Sequence, residues 1–354
     1  MKPITILGAG LSGLTAAITL AKAGYQVHVY EERSDSGMRF HGDFQGIENW
    51  SASQDVLQEI TAQNIHQNFY IAPFHTMYLT DGTTTFPATS SRPIFYLVKR
   101  GPFSDCIDQG LKLQALDHNV EIHYNSHKSI PEADIIATGP STKKVTAIGK
   151  GIIFETDHND LAMALVHKEA SLKGYSYLLV SHGHGTMLTV CMYPCENINT
   201  YWKKTCELYQ HLTQLTITNP KNTGGIGTFH LNAHLQKQGR RYTGEAAGLQ
   251  DFLWGFGMRY ALTSGYLAAR SIIEKKSYKN LIRHHLSNTL KASIVNRYYV
   301  DKVPDYGRFL IAQGQKLKEG EHAKLMQRHY NLSLFTRFMY PFVKISLLLS
   351  KKYS

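Results

Sequence analysis

Residues 4–31, ITILGAGLSGLTAAITLAKAGYQVHVYE, decide how this 354-residue chain is read. Ile4 to Leu7 is an apolar run of strand length, and Gly8-Ala9-Gly10-Leu11-Ser12-Gly13 follows it directly. Leu14, Ala17, Ile18, Leu20 and Ala21 then recur at helical spacing until Gly24, after which Gln26 to Tyr30 returns to a strand pattern. Each glycine in this unit has a separate steric role. Gly8 permits a tight turn, Gly10 lets a pyrophosphate approach the backbone, and Gly13 lets helix and strand pack closely. The helix start at Leu11-Ser12 aims free N–H groups and a positive dipole end at phosphate. Glu31, with Glu32 beside it, ends the second strand 18 positions after Gly13. A carboxylate there accepts both hydroxyls of an adenosine ribose. A lone GxGxxG is a weak motif, but the preceding strand, the following helix and the spaced acid complete its context. The reading is an adenine dinucleotide site.

The rest of the composition agrees with a folded chain of about two lobes. Hydrophobic residues make up 43 % and charged residues 18 %, which excludes disordered, collagen-like and coiled-coil classes. Cys106, Cys191, Cys195 and Cys206 are too few for a disulfide scaffold and lack paired CxxC spacing, so they are expected to be reduced packing residues. No metal site is expected. Residues 331–350 are the nearest approach to a spanning helix, and Arg337, Pro341 and Lys344 interrupt them. No leader precedes the first strand, so the expectation is a cytoplasmic chain. Charge is unevenly placed: residues 231–354 carry 21 Lys and Arg against 7 Asp and Glu, while residues 1–230 carry 17 against 20. Such a skew suits an anionic partner.

Three later segments bear on which dinucleotide is held. Residues 96–107 (YLVKRGPFSDCI) place Arg100, Phe103 and Asp105 before an amphipathic helix through Leu111, Leu113 and Leu116. Residues 133–141 (ADIIATGPS) form an apolar strand ending at Thr138-Gly139. Residues 241–269 run from a strand into Gly244-Glu245, and Gly255-Phe256-Gly257 then starts a helix faced by Ala261, Ser264, Gly265, Ala268 and Ala269.

With these blocks in order, the sequence resembles the geranylgeranyl reductase family of the para-hydroxybenzoate-hydroxylase-like FAD-dependent oxidoreductases. The resemblance covers residues 1–145 and 225–275. It implies FAD as cofactor and an α/β fold: a discontinuous Rossmann-like FAD-binding domain (1–68, 96–149, 225–285), an inserted β-sheet substrate domain (69–95, 150–224) and a basic helical C-terminal region (286–354). By position it implies that Arg100 reaches the cofactor from the second segment and that Gly139, at the A-x-G strand end, binds the cofactor. Gly244-Glu245 would meet a ribityl hydroxyl, where the family has Gly-Asp. Gly255, Phe256, Gly257 and Met258 would offer backbone N–H groups to the flavin pyrimidine, where a helix dipole stabilises the reduced, anionic ring. Two departures stand out: Glu245 adds a methylene, and Gly174-Tyr175-Ser176-Tyr177-Leu178-Leu179-Val180 does not match the aromatic sheet motif of prenyl reductases.

The substrate side is less marked. Residues 37–50 (GMRFHGDFQGIENW) follow the ribose acid and are read as a loop, in which Arg39 is a candidate pyrophosphate partner and His41 a weak candidate for proton transfer. Gly224-Gly225-Ile226-Gly227 lacks a following apolar helix and is read as a loop, so NADH or NADPH would act only as a transient donor. FYIAPF, TMYLT, TTTFPA, GIIFET and YLLVSHGHGTMLTV read as a sheet laid over the flavin, with His182-Gly183 at a hairpin turn. The terminal LFTRFMYPFVKISLLLSKKYS alternates apolar residues with Arg337, Lys344, Lys351 and Lys352, a pattern that suits either peripheral contact with the inner face of a membrane or a cap on the core. No nucleic-acid motif accompanies the charge. The expected activity is hydride transfer from reduced flavin to a hydrophobic, isoprenoid or lipid-like small molecule. A monooxygenase on the same fold and a flavin-binding protein without turnover are the alternatives.

Overall fold

The computed structural model describes residues 2–143, 145–192, 195–318 and 320–350. The chain opens with β1 (Ile4–Leu7), α1 (Leu11–Lys22), β2 (Val27–Tyr30), β3 (Asp43–Glu48), α2 (Val56–Ala62), β4 (Ile71–Phe74), β5 (Thr76–Thr80), β6 (Thr85–Thr89) and β7 (Phe95–Arg100). It continues through α3 (Ile107–Asp117), β8 (Glu121–His123), β9 (Ile135–Ile136), β10 (Ala147–Glu155), β11 (Leu161–Leu165), β12 (Tyr175–Ser181) and β13 (His184–Cys191). Then come α4 (Ile198–Thr213), β14 (Thr218–Gly227), β15 (Gln236–Lys237), β16 (Arg240–Tyr242) and α5 (Met258–Ile273). Helices α6 (Tyr278–His285), α7 (Ser287–Lys302), α8 (Tyr306–Gly314), α9 (Glu321–Tyr330) and α10 (Leu334–Leu349) complete the described chain.

Three sheets organise these elements. The first has the order β15-β16-β9-β1-β2-β8, with β16, β9, β1, β2 and β8 parallel. Covered on its faces, such a sheet is apolar at nearly every position, and Ile6, Val27, Val29, Ile135 and Ile136 are accordingly buried. The second, β14-β10-β13-β12-β11-β5-β6, is antiparallel except where β11 meets β5. The third is the antiparallel trio β3-β7-β4. The Phe44 N–H donates to Thr186 Oγ1 at 2.8 Å and pins β3 to β13 of the second sheet.

Helix α1 is buried from Leu11 to Leu20. It lies close to its surroundings because two residues there have no side chain. A Cβ at Gly13 would stand 1.9 Å from the Gly8 carbonyl oxygen, and one at Gly265 of α5 would stand 2.1 Å from that of Ser12. The sequence pattern in this region is matched element by element, down to the Gly24 stop with φ +84.

Elsewhere the structure revises the reading. Residues 224–227 are not a loop but the end of β14, where Gly224 lets β10 approach: its Cβ would fall 2.4 Å from the Gly149 carbonyl oxygen. The expected loop 37–50 contains β3, whose polar residues pair with β7. Of the three leucines expected on the buried face of α3, Leu111 is buried but Leu113 and Leu116 are exposed, because only one side of that helix meets α1 and β7. FYIAPF supplies β4 of the small sheet rather than the large one. The hairpin at His182-Gly183 is present, with φ of +49 and +77 matching the twist of β12 and β13.

The α1–α5 contact makes a direct prediction. Gly265→Ala forces a methyl into backbone and should lower stability by about 1–3 kcal/mol. Gly10→Ala, whose Cβ meets nothing within 4 Å, should leave the Tm of the ligand-free protein unchanged. Thermal unfolding followed by circular dichroism compares the two.

Candidate cofactor site and adjoining cavity

A cavity of about 610 Å³ runs from the Gly8–Ser12 turn to the inner face of the second sheet, within the roughly 300–1,000 Å³ range of small-molecule sites. At its first end, Gly8 takes φ +99 beneath the Ala137 carbonyl, while space above Gly10 is open. Gly10 caps α1 without a side chain, and no acidic residue occupies the first turn. The unpaired N–H groups of that turn are thus offered to an anion. Glu31 is held beside them: its carboxylate accepts from Ala9 N–H at 2.8 Å and Arg33 N–H at 3.0 Å. Leu11, Ser12 and Glu32 also line this end, and the exposed Glu32 carboxylate pairs with His127 at 3.3 Å.

In the middle, Arg39 reaches from the β2–β3 connection to Glu245, with Nη1 to Oε2 at 3.2 Å, and donates to the Ile226 carbonyl. Glu245 also accepts from Thr228 N–H at 3.0 Å. Burial pushes its pKa above the usual carboxylate value, against the downward pull of Arg39. Gly139 follows β9 with φ +74, and Gly244 takes φ +55 against Ser12. Arg100 is buried in a two-pronged pair with Asp108, at 2.9 and 3.0 Å, and stacks over Phe40 at 4.0 Å. It lines the cavity, yet its partners in this structure are protein groups. Both arginines therefore also act as ties between segments, a role that local sequence does not reveal.

At the far end, Gly255 (φ +82), Phe256, Gly257 and Met258 bring the N-terminus of α5 to the cavity, with Gly257 at the N-cap and no side chain to cap the helix. The turn before it is organised by Asp251, which accepts from Leu253 N–H at 3.0 Å, Trp254 N–H at 2.8 Å and the Tyr330 hydroxyl at 3.0 Å. Gln250 lines the cavity here, and its buried Oε1 has no hydrogen-bond partner among the described residues. Such an orphaned acceptor fits a site built for a polar ligand.

The remaining wall is apolar and aromatic. Strand alternation sends Tyr175, Tyr177 and Leu179 of β12 into the cavity, joined by Met163, Leu188 and Trp254. Trp254 meets Tyr175 edge-on at 5.8 Å. Burial raises the pKa of both phenols, with Asp43 adding to the effect at Tyr177. Tyr175, Tyr177 and Gln250 had no place among the expected site residues; the Tyr-x-Tyr-x-Leu alternation was the one available signal. His41 is exposed and is not among the lining residues, since its backbone turns to donate to Asp43 at 2.9 Å. A separate group, His28, Glu121 and His123, brings ligating atoms together on β2 and β8 outside the cavity. The two ring planes are parallel to within 2°, with Nδ1 of His28 3.3 Å from Nε2 of His123, an arrangement of paired rings sharing a hydrogen bond.

The comparisons with known proteins agree with this geometry. Residues 6–56 match the model of the NAD(P)-binding Rossmann-like domain. Hydroxysqualene dehydroxylase of Sinorhizobium fredii is 46 % identical over 48 residues, 14 % of this chain and only 12 % of that relative's length. Solved structures match over nearly the whole chain. A geranylgeranyl bacteriochlorophyll reductase-like protein from Thermoplasma acidophilum gives a TM-score of 0.67 at 14 % identity, with 98 % of each chain covered. The flavin-dependent brominase Bmp2 gives 0.63 at 13 % identity, covering 99 % of each chain. The p-nitrophenol 4-monooxygenase of Pseudomonas putida gives 0.55 at 12 %, covering 98 % of each. The fold is that of the flavin-dependent oxidoreductases resembling geranylgeranyl reductase.

Gly10→Val would place a branched side chain in the open space above the turn, and should abolish nucleotide retention in a folded protein. Glu31→Ala removes charge-assisted hydrogen bonds worth about 1.5–3 kcal/mol and should weaken retention roughly tenfold to a hundredfold. Nucleotide released on denaturing each purified variant measures both effects; equal occupancy in wild type and Gly10→Val would show that the turn holds no phosphate.

Proposed function

We propose that this chain is an FAD-dependent enzyme that reduces a hydrophobic, isoprenoid or lipid-like small molecule by hydride transfer from reduced flavin, with NADH or NADPH as transient donor. The observation that carries the proposal is one cavity joining a dinucleotide turn to an apolar wall that ends in two half-buried phenols. The donors at α1 suit a pyrophosphate, Glu31 an adenosine ribose, and the free N–H groups at α5 an electron-rich ring edge. The orphaned Gln250 Oε1 adds an acceptor beside that edge. When bound, FAD supplies the hydride chemistry; the protein holds the ring, orients the substrate and excludes water.

The wall formed by Met163, Leu179, Leu188 and Trp254 gives a hydrocarbon chain contacts without polar competition. Tyr175 and Tyr177 supply the hydroxyls of β12 within that wall. With their pKa values raised, both remain protonated donors at neutral pH and can fix the orientation of a polar headgroup.

Anaerobic mixing of the loaded protein with NADH or NADPH tests the reading. The expected result is loss of the oxidised-flavin absorbance and its return when a polyprenyl acceptor is added without oxygen. Oxygen uptake matching nicotinamide oxidation, with oxygen incorporated in the product, would identify a monooxygenase instead. A flavin that neither nicotinamide reduces would point to binding without turnover.

A further inference from the structure

Helix α10 has two apolar faces, and among the described residues only one of them is covered. Its inner face packs along α7, where Val343 and Leu347 join a cluster that includes Ala147, Met192 and Phe229. Those three residues also line the cavity. The outer face carries Phe335, Phe338, Phe342, Ile345 and Leu349, spaced alternately three and four residues apart and so aligned in one stripe. All five are more than half exposed, Phe338 at 67 % and Leu349 at 79 %, and Leu334 at the start of the helix reaches 85 %. A continuous stripe of this size is not ordinary surface; it marks a contact.

Charge selects the partner. Arg337 and Lys344 sit on this helix, Lys291 of α7 stands 5.5 Å from the Tyr340 ring, and the sequence has no Asp or Glu after Glu321. Lys351 and Lys352 lie outside the described residues. A second copy docking through the same stripe would bring two such basic helices together, with no acid on either helix to answer the cations. An anionic bilayer answers both features, with acyl chains for the stripe and phosphate headgroups for the cations. We infer that the outer face of α10 seats this protein on an anionic lipid surface. The seat lies one packed layer from the cavity, since the inner face of the same helix shares a cluster with cavity-lining residues. Such seating is independent of the redox reaction.

A chain cut at Tyr330 would expose that inner cluster, so the test uses point substitutions in the full-length protein. Co-sedimentation is measured with vesicles of phosphatidylcholine alone and of phosphatidylcholine mixed with phosphatidylglycerol. Wild type should pellet with the mixed vesicles at about 0.1 M salt and release at about 1 M, where the screening length falls from about 10 to about 3 Å. The combined variant Phe335→Ser, Phe338→Ser, Phe342→Ser, Ile345→Ser should bind at least about tenfold more weakly at unchanged Tm. If it proves unstable, Arg337→Gln with Lys344→Gln keeps the stripe and should lose the preference for anionic vesicles. Wild type remaining in the supernatant, or variants binding like wild type, would overturn the inference. So would a dimer in gel filtration that the stripe variant dissolves while neither form binds vesicles.

Discussion

Backbone meeting backbone at the start of α1 is the constraint on which the rest of the molecule depends. Gly8 lies under the Ala137 carbonyl, Gly13 against Gly8, and Gly265 against Ser12, each at a separation that no Cβ could occupy. These contacts press the first turn of α1 between the parallel sheet and α5. They fix the direction of its free N–H groups and bring the end of β2, with Glu31, beside them. Because α5 is held by the same contact, its own N-terminus is carried to the other end of the cavity. Two helix dipoles thus address one space from positions set by glycine packing.

Ion pairs hold the segments that sterics leave free. Arg259, in the first turn of α5, donates to Glu59 of α2 and to Ser51 and lies 3.7 Å from Glu48 of β3, fastening α5 to the small sheet. Glu48 is buried, and desolvation raises its pKa against the attraction of that arginine. Arg100–Asp108 ties β7 to α3, and Arg39–Glu245 ties the β2–β3 connection to the segment before α5. Pairs as buried as Arg259–Glu48 and Arg100–Asp108 contribute modest net stability, and removing one partner strands the other. Their evident consequence here is geometric: Arg39, Arg100, Asp108 and Glu245 are brought to one cavity.

What could be read in the sequence follows from this division. The β1-α1-β2 unit was legible because its turn, helix and acid lie within residues 4–31 and each has a local steric reason. The glycines 224–227 misled because glycine in a strand looks like a turn until the approach of β10 explains it. The polar run DFQGIE hid β3, whose partner β7 lies far along the chain at Phe95–Arg100. Tyr175 and Tyr177 alternate as a strand should, but which face meets the cavity is decided by how the second sheet closes over the first. Arg39 and Arg100 were found by position, while the pairing of Arg39 with Glu245, 206 residues away, was beyond any local pattern.

The central claim is that the space between the two helix N-termini is shaped for FAD. Denaturing the purified protein and identifying the released small molecule by chromatography and mass tests it most directly. The expected molecule is FAD, close to one per chain, or its stoichiometric uptake when the protein is purified empty. Release of FMN or NAD, or failure to take up FAD, would contradict it.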